Sequence, residues 1–270
     1  DGDFMNRMSA VYQEFRNYMN VPKEKPEESI GYFSMEYGLH ESIKTYSGGL
    51  GILAGDYLKE ASDSNKNITG IGLMYRFGYF EQSISLFGDQ LTENQPQKYT
   101  DLPLLPVRDE DDKWVMITFA LPGRTLHAKV WELKIGRVSL YLLDTDIEEN
   151  NMEDREITHT LYGGDWFNRF KQELLLGIGG VRLLSTLGIN PTLYHLNEGH
   201  AAFAGVERLR HMVENLEMEF SVAMEIVRAT SLFTTHTPVP AGHDTFSEDI
   251  IRTYIPHYPD RLNISWTDFI

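Results

Sequence analysis

The chain has 270 residues, of which 41% are hydrophobic and 12% aromatic, and its formal net charge is −16. This composition can form a substantial core, and no apolar run approaches the roughly 18 residues of a membrane helix. The absence of cysteine excludes disulfides, thiolate catalysis and cysteine-based metal sites. Nucleic acid is an unfavourable partner for so acidic a surface, because no basic stripe offsets the charge.

The first residues also lack the apolar segment of a signal peptide. We therefore expect a cytoplasmic protein without a membrane partner. The chain begins with Asp1 and ends at Ile270, and neither end has the character of a natural terminus, so we expect a fragment.

Apolar periodicity predicts the first elements. Residues 4–19 carry apolar side chains at spacings of three and four and predict an amphipathic helix, whose Met and Phe stripe we expect in the core. Residues 30–35 predict a short buried strand. Residues 47–51 predict a glycine turn that leads into a helix through Ala61, and residues 68–80 are β-rich.

The middle of the chain, at about residues 105–145, predicts antiparallel strands. Residues 114–121, 124–133 and 137–143 alternate apolar and polar side chains, and a turn at Gly136 joins the last two. We expect this region to be an inserted hairpin.

The last third predicts strands separated by helices. A helical stripe runs from Phe167 to Leu184, strands follow at 192–196 and 231–235, and helices follow at 198–209, 221–229 and from Phe246. Strands joined by helices of this length indicate βαβ units and a parallel sheet, so the predicted class is α/β.

Three segments could carry chemistry. In the glycine turn Ser47-Gly48-Gly49-Leu50-Gly51, the backbone can approach a ligand closely and the next helix offers unpaired N–H groups to an anion. The spacing fits neither a Walker loop nor a dinucleotide fingerprint. A tight turn without a ligand is an equally good interpretation of this segment alone.

The second segment, Asn197-Glu198-Gly199-His200, follows a strand, at the edge where α/β sheets bind ligands. His195 and His200 are five residues apart and make a poor zinc pair, so no metal is expected. The third segment, Thr234 to Pro238, ends the next strand, with residues 241–244 in the loop behind it. A rigid loop with a capping histidine is the alternative without function.

Together these segments resemble the α-glucan phosphorylase family, over nearly the whole chain. The order and spacing of five motifs carry the resemblance: Tyr32-Phe33-Ser34-Met35-Glu36, Ser47 through Asp56, Leu161-Tyr162-Gly163-Gly164-Asp165, Leu196 through His200, and Thr234 through Pro238.

The resemblance implies a GT-B glycosyltransferase fold, with residues 1–270 as its Rossmann-like amino-terminal domain. It also implies phosphorolysis of α-1,4-glucan to glucose 1-phosphate, with pyridoxal phosphate acting through its phosphate group. The implied partners are α-glucan, inorganic phosphate and the protein's own carboxy-terminal domain, and a homo-oligomer is compatible with the resemblance.

The resemblance also assigns roles to residues. Gly48, Gly49 and Leu50 would present backbone N–H groups to substrate phosphate and the glucosyl unit, with Gly48 and Gly49 also against the cofactor. His236 would hold the glucosyl residue. The implied acceptor-side and gating residues are Asn197, Glu198, His200, Gly164 and Asp165.

The cofactor lysine and the basic phosphate clamp of the family lie in its carboxy-terminal domain. Neither Lys44 nor Lys59 sits in the corresponding motif, so we expect this chain to be inactive alone. Two alternatives stay open. One is a GT-B synthase that uses a nucleotide sugar, although such enzymes usually carry a lysine two residues before the glycine turn. The other is a non-catalytic glucan-binding module.

Overall fold

The computed structural model describes residues 1–23, 25, 27–238 and 244–270. Within these ranges the strands are β1 Ile30–Phe33, β2 Ile68–Leu73, β3 Glu81–Ile84, β4 Gln90–Glu93, β5 Leu104–Pro106, β6 Met116–Leu121, β7 Arg124–Ile135, β8 Val138–Asp144, β9 Leu193–Asn197 and β10 Ser231–Thr234. The α-helices are α1 Gly2–Met19, α2 Gly49–Asp63, α3 Met152–Arg155, α4 Trp166–Leu174, α5 Gly180–Thr186, α6 Phe203–Arg210, α7 Phe220–Ala229, α8 Glu248–Tyr254, α9 Tyr258–Arg261 and α10 Trp266–Phe269.

The centre of the molecule is a parallel sheet in the order β10-β9-β1-β2-β8. Counted along the chain, these five strands lie in the order 5-4-1-2-3, which is the order of a doubly wound α/β sheet. In the register, Tyr32 of β1 lies opposite Gly70 of β2 on one side and His195 of β9 on the other. The predicted α/β class and parallel sheet are confirmed.

The β-rich middle of the chain is part of this sheet. Its predicted hairpin is confirmed, because β7 and β8 pair antiparallel around Gly136, which has a φ of +55°. However, β8 also pairs parallel with β2, with Thr69 opposite Ser139. Strands β5 and β6 extend the sheet from β7. The hairpin therefore does not stand apart as an insertion, since alternation along a strand does not reveal which strand it pairs with.

A second hairpin was not predicted. Strands β3 and β4 pair antiparallel outside the main sheet, and all their residues are exposed. Without a buried face, this hairpin carries no periodic apolar signal that sequence reasoning could detect.

Helices cover both faces of the sheet, and successive residues of β1 point to the two sides. Tyr32 packs in the cluster beneath α2, together with Leu58. Phe33 packs in the larger cluster beneath the long predicted helix, together with Phe170 and Leu176. That helix is continuous from α4 to α5 through a π-turn at residues 175–179.

Helix α1 forms as predicted, but its stripe is not core. No residue of α1 is buried, and Phe4, Met8, Val11 and Phe15 are between 48% and 65% exposed. Of this helix, Tyr18 reaches the rest of the chain and bonds Ser62 Oγ at 2.6 Å. The expectation was wrong because periodicity shows that a helix has an apolar face and does not show what covers it.

Candidate functional site

The candidate site lies where the order of the parallel strands reverses, between β1 and β9. Both strands end at the same edge of the sheet, which is where doubly wound sheets bind ligands. A hydrogen bond of 3.0 Å from Asn197 Nδ2 to Ser34 Oγ joins the segments that leave the two strands. Both residues are fully buried, so they fix the floor of the site.

Glu36, just beyond β1, holds the glycine turn in place. Its Oε2 accepts the backbone N–H of Ser47 at 2.7 Å and that of Gly48 at 3.2 Å. Its Oε1 accepts the hydroxyl of Tyr162 at 2.5 Å. One buried carboxylate therefore connects the turn before α2 with the loop before α4.

The first turn of α2 leaves donors unpaired. Gly48 is the N-cap and makes no side-chain capping bond. Within the described part of the chain, the backbone N–H groups of Gly49 and Leu50 have no acceptor. Unpaired N–H groups and the positive end of a helix dipole together attract an anion.

The glycines of this turn have two different roles. A Cβ atom at Gly48 or Gly49 would meet no heavy atom within 4 Å, so the backbone there faces open space. At Gly51 a Cβ would lie 2.4 Å from Tyr46 Cβ, and at Gly55 it would lie 2.1 Å from Gly38 O. The later glycines therefore allow α2 to pack closely, while the earlier ones leave its start open.

The ends of β9 and β10 share a hydrogen-bonded cluster. His236 Nε2 lies 2.6 Å from Asn197 Oδ1. Glu198 Oε1 accepts the backbone N–H groups of His236 at 2.6 Å and Thr237 at 2.8 Å, and these bonds help to hold the pKa of Glu198 below its usual value against the effect of burial. Glu198 has a φ of +67°, a strained conformation for a residue with a side chain.

The loop before α4 is held by its own backbone and side chains. Tyr162 and Gly164 have φ values of +56° and +82°. Asp165 is the N-cap of α4 and accepts the N–H of Asn168 at 2.9 Å, while Asn168 Nδ2 donates to Gly163 O at 2.8 Å.

These parts surround a cavity of about 720 Å³. The lining residues are Glu36, Leu50, Tyr162, Gly164, Asp165, Trp166, Arg169, His200, Thr237 and Asp244. The cavity contains three carboxylates and one guanidinium, so this chain gives it an acidic character.

Among the described residues, Arg169 is the cation that lines the cavity. Its Nε bonds Asp244 Oδ2 at 2.6 Å, its guanidinium lies 4.2 Å from the Tyr162 ring centroid, and its buried Nη1 has no partner in the described part of the chain. Beneath it, burial and a hydrogen bond to Asp244 raise the pKa of Glu173 to about 9. Glu173 is therefore protonated at neutral pH.

His200 faces the cavity as a neutral ring. Burial, followed by the charge of Arg169, lowers the pKa of His200 to about 4. Its Nδ1 is buried without a partner among the described residues. A neutral imidazole with a free ring nitrogen can exchange a hydrogen bond with a hydroxyl group.

The structure brings most of the predicted site residues to this one edge. Leu50, Gly164, Asp165 and His200 line the cavity. The remaining residues border it: the turn supplies Gly48 and Gly49, and the strand-end cluster supplies Asn197, Glu198 and His236. The predicted loop residues 241–243 lie outside the described residues.

Sequence reasoning gave no role to Glu36, Tyr162, Arg169 or Asp244. Glu36 and Tyr162 lie inside the quoted motifs, and Glu36 directly follows the strand predicted at residues 30–35. Arg169 is four residues after Asp165, so the two share a face of α4. That spacing is the signal that could have identified it.

Comparisons with known proteins agree on one group of enzymes. The chain is 46% identical over 253 residues to maltodextrin phosphorylase of Thermococcus litoralis, covering 91% of this chain and 30% of that protein. It is 40% identical over 273 residues to glycogen phosphorylase of Mycobacterium tuberculosis, covering 94% and 32%, respectively. For glycogen phosphorylase of Aquifex aeolicus the identity is 36%, covering 93% and 37%.

The chain thus spans about a third of the length of these relatives. Residues 1–43 match a family described as "Protein of unknown function (DUF3417)". Over the described ranges, no helix is long and apolar enough to cross a membrane, and no cluster of three or more His, Asp or Glu residues could hold a metal ion.

Proposed function

Because this chain is a homologue of the α-glucan phosphorylases over 91–94% of its length, we propose that it is the amino-terminal Rossmann-like domain of such an enzyme, with a GT-B fold. The full-length protein would cleave α-1,4-glucan with inorganic phosphate and release glucose 1-phosphate. Localisation in the cytoplasm belongs to the same proposal.

One observation carries the proposal. The N–H groups of Gly49 and Leu50 have no acceptor among the described residues, and they lie at the start of α2, beside the cavity that Leu50, His200 and Asp165 line. Donors fixed by a helix need no reorganisation when charge develops on a phosphate or glycosyl oxygen, and such donors are commonly the largest catalytic contribution. Glu36 fixes their position through Ser47 and Gly48.

The acidic lining suits the sugar better than the phosphate. The carboxylates of Glu36, Asp165 and Asp244 can accept hydrogen bonds from glucosyl hydroxyls, and neutral His200 can exchange one. In this chain, phosphate would meet the N–H groups of Gly49 and Leu50 and Nη1 of Arg169, which has no partner in the part of the chain that the structure describes. Further cations for its charge have to come from the remainder of the full-length protein.

The same holds for pyridoxal phosphate. When bound, this cofactor supplies a phosphate group that can exchange a proton with the substrate phosphate. Over the ranges that the structure describes, no lysine lines the cavity, while Lys44 pairs with Glu81 and Lys59 with Asp56. The attachment of the cofactor would therefore lie outside this chain, and the chain would contribute at most the donors at Gly48 and Gly49 beside it.

The deciding experiment measures glucose 1-phosphate released from maltodextrin and inorganic phosphate by the full-length protein loaded with pyridoxal phosphate. We expect activity, and we expect Gly49→Val to lower kcat/KM by about 100-fold or more, because the added side chain blocks approach to the donors. His236→Ala should lower the rate while leaving the fold intact, since its side chain is exposed apart from the bond to Asn197.

A surface change far from the cavity, Gly2→Ala, serves as the matched control, because a Cβ there meets nothing within 4 Å. Full activity in Gly49→Val would remove the phosphate role of the turn. Turnover with a nucleotide sugar instead of phosphate would replace the proposal with a synthase, and glucan binding without turnover would replace it with a binding module.

A further inference from the structure

Two carboxylates and one guanidinium meet beside the candidate-site cavity. Arg169 and Asp244 line the cavity, and Glu173 lies one turn after Arg169 on α4. The side chains of Arg169, Glu173 and Asp244 are only 12%, 4% and 14% exposed, respectively. The proposed function assigns no role to Glu173.

The single N–H of Arg169 Nε serves one of the two carboxylates. It donates to Asp244 Oδ2 at 2.6 Å, whereas Glu173 Oε1 lies 3.8 Å from the same nitrogen, beyond hydrogen-bonding distance. Within the described part of the chain, Glu173 Oε1 is buried without a hydrogen-bond partner. An ionised carboxylate would lack a donor in this position, so the geometry favours the protonated form of Glu173.

A protonated Glu173 can donate its O–H to the carboxylate of Asp244. Burial and then this hydrogen bond raise the pKa of Glu173. Burial acts against ionisation of Asp244 as well, but the same hydrogen bond and the charge of Arg169 together bring the pKa of Asp244 below its usual value. With one proton between them, the two carboxylates carry a single negative charge, which the charge of Arg169 balances.

The other ionisable groups beside this cluster lie on neighbouring segments. His200, after β9, is neutral because burial and then the charge of Arg169 lower its pKa to about 4. Burial raises the pKa of Tyr75 and of Tyr162 well above the usual value. The carboxylate of Glu36 accepts the hydroxyl of Tyr162 on the far side of that ring. We therefore expect Glu173 to be the group of this cluster that gains a charge as the pH rises above neutral.

Given phosphorolysis as the proposed function, we propose that Glu173 is a positioning residue whose proton, shared with Asp244, keeps the wall beside Arg169 electrically neutral and so lets the cavity accept phosphate. Release of this proton to solvent adds a negative charge beside Arg169 and repels the phosphate anion. The uncharged glucan does not experience this repulsion. Arg169 keeps its orientation in both states, because Asp244 holds its Nε.

Initial rates of the full-length protein, loaded with pyridoxal phosphate, test the proposal from about pH 6.5 to about pH 9.5. At the lower pH, wild type and Glu173→Gln should have similar KM values for phosphate, because glutamine imitates the protonated carboxyl. At the higher pH, the KM for phosphate of wild type should be at least about threefold above that of Glu173→Gln. The kcat and the KM for maltodextrin should stay alike in the two proteins.

Comparing the two proteins at each pH cancels the titration of phosphate itself and of the cofactor. Glu225→Gln, a change at an exposed glutamate of α7, is the matched control and should follow wild type at every pH. A KM for phosphate that changes with pH by the same factor in wild type and Glu173→Gln would overturn the proposal. An equal effect on the KM for maltodextrin would also overturn it, because such an effect indicates distortion of the cavity and not a change of charge.

Infrared spectroscopy provides a readout that needs no turnover. At neutral pH, the difference spectrum between wild type and Glu173→Gln should contain the C=O stretch of a protonated carboxyl, and this band should disappear as the pH rises past about 9. Turnover without the band would overturn the role of Glu173 and leave the proposed function standing. The band without turnover would refute phosphorolysis, and with it the role of Glu173 toward phosphate, while the shared proton would be confirmed.

Discussion

At the scale of single residues, the candidate site is characterised by buried polar side chains whose hydrogen-bonding atoms are not all paired. Arg169 and His200 line the cavity of the candidate site and Glu173 lies beside Arg169, and each keeps a buried polar atom without a partner among the described residues. A buried polar group without a hydrogen-bond partner lowers the stability of the folded protein. The clustering of such groups where the strand order reverses therefore indicates a ligand site.

Glu173 makes the stability of the folded protein depend on pH. Its pKa is about 9 in the folded protein against 4.5 for the ordinary group, so the folded state binds the extra proton between these values. Its contribution to stability is therefore fully present below pH 4.5 and is lost as pH rises through 9. Glu173→Gln imitates the protonated form and should unfold at a higher temperature than wild type at pH 9, with the difference shrinking toward pH 5.

Thermal unfolding of the full-length protein across this pH range provides the measurement. Glu225→Gln, a change at an exposed glutamate, should show no such trend. A constant difference between Glu173→Gln and wild type from pH 5 to pH 9 would mean that Glu173 is ionised throughout.

At the scale of elements, α2 packs closely against its neighbours at Gly51 and Gly55, whereas its start at Gly48 and Gly49 borders open space. Gly38 N donates to Gly51 O at 2.7 Å, so the segment after β1 lies directly against the helix. In the first turn of the same helix, the N–H groups of Gly49 and Leu50 have no acceptor within the described ranges, and Leu50 lines the cavity. Close packing therefore fixes the direction in which the donors point.

This difference between the two parts of α2 predicts that glycine-to-alanine substitutions change the free energy of unfolding differently at Gly55 and at Gly49. Gly55→Ala should lower the free energy of unfolding by about 1–3 kcal/mol, because its Cβ would collide with the carbonyl of Gly38. Gly49→Ala should leave stability unchanged or raise it by up to about 1 kcal/mol, because its Cβ meets open space and alanine favours a helix. Chemical denaturation measures both, and equal losses in the two variants would contradict the division.

At the scale of the whole molecule, the proposed function requires this chain to supply one side of a site. Its net charge is −16, and the described lining of the candidate-site cavity holds one guanidinium and three carboxylates. The exposed stripe of α1 and the short coverage of the relatives are consistent with a role inside a longer protein.

The isolated 270-residue chain should accordingly release no glucose 1-phosphate from maltodextrin and phosphate, even with pyridoxal phosphate added. The reason is electrostatic, because the chain has too few cations at the cavity to hold a phosphate dianion. The assay compares it with the full-length protein at equal concentration, and comparable turnover by the two would show that this chain holds a complete site.

The sequence by itself determined the α/β class, the parallel strands, the hairpin at Gly136 and the motifs that border the cavity. These features depend on local periodicity, turn residues and the rule that parallel strands end at one edge. The motifs also indicated the resemblance to the α-glucan phosphorylase family, and the comparisons confirm this resemblance.

Only the tertiary structure decided which strands pair and which side chains meet. It placed β8 beside β2, left the α1 stripe exposed, and joined Glu36 to Tyr162 across 126 residues of sequence. Periodicity reports the apolar face of an element, whereas partners, burial and charge balance depend on contacts between segments far apart in the chain.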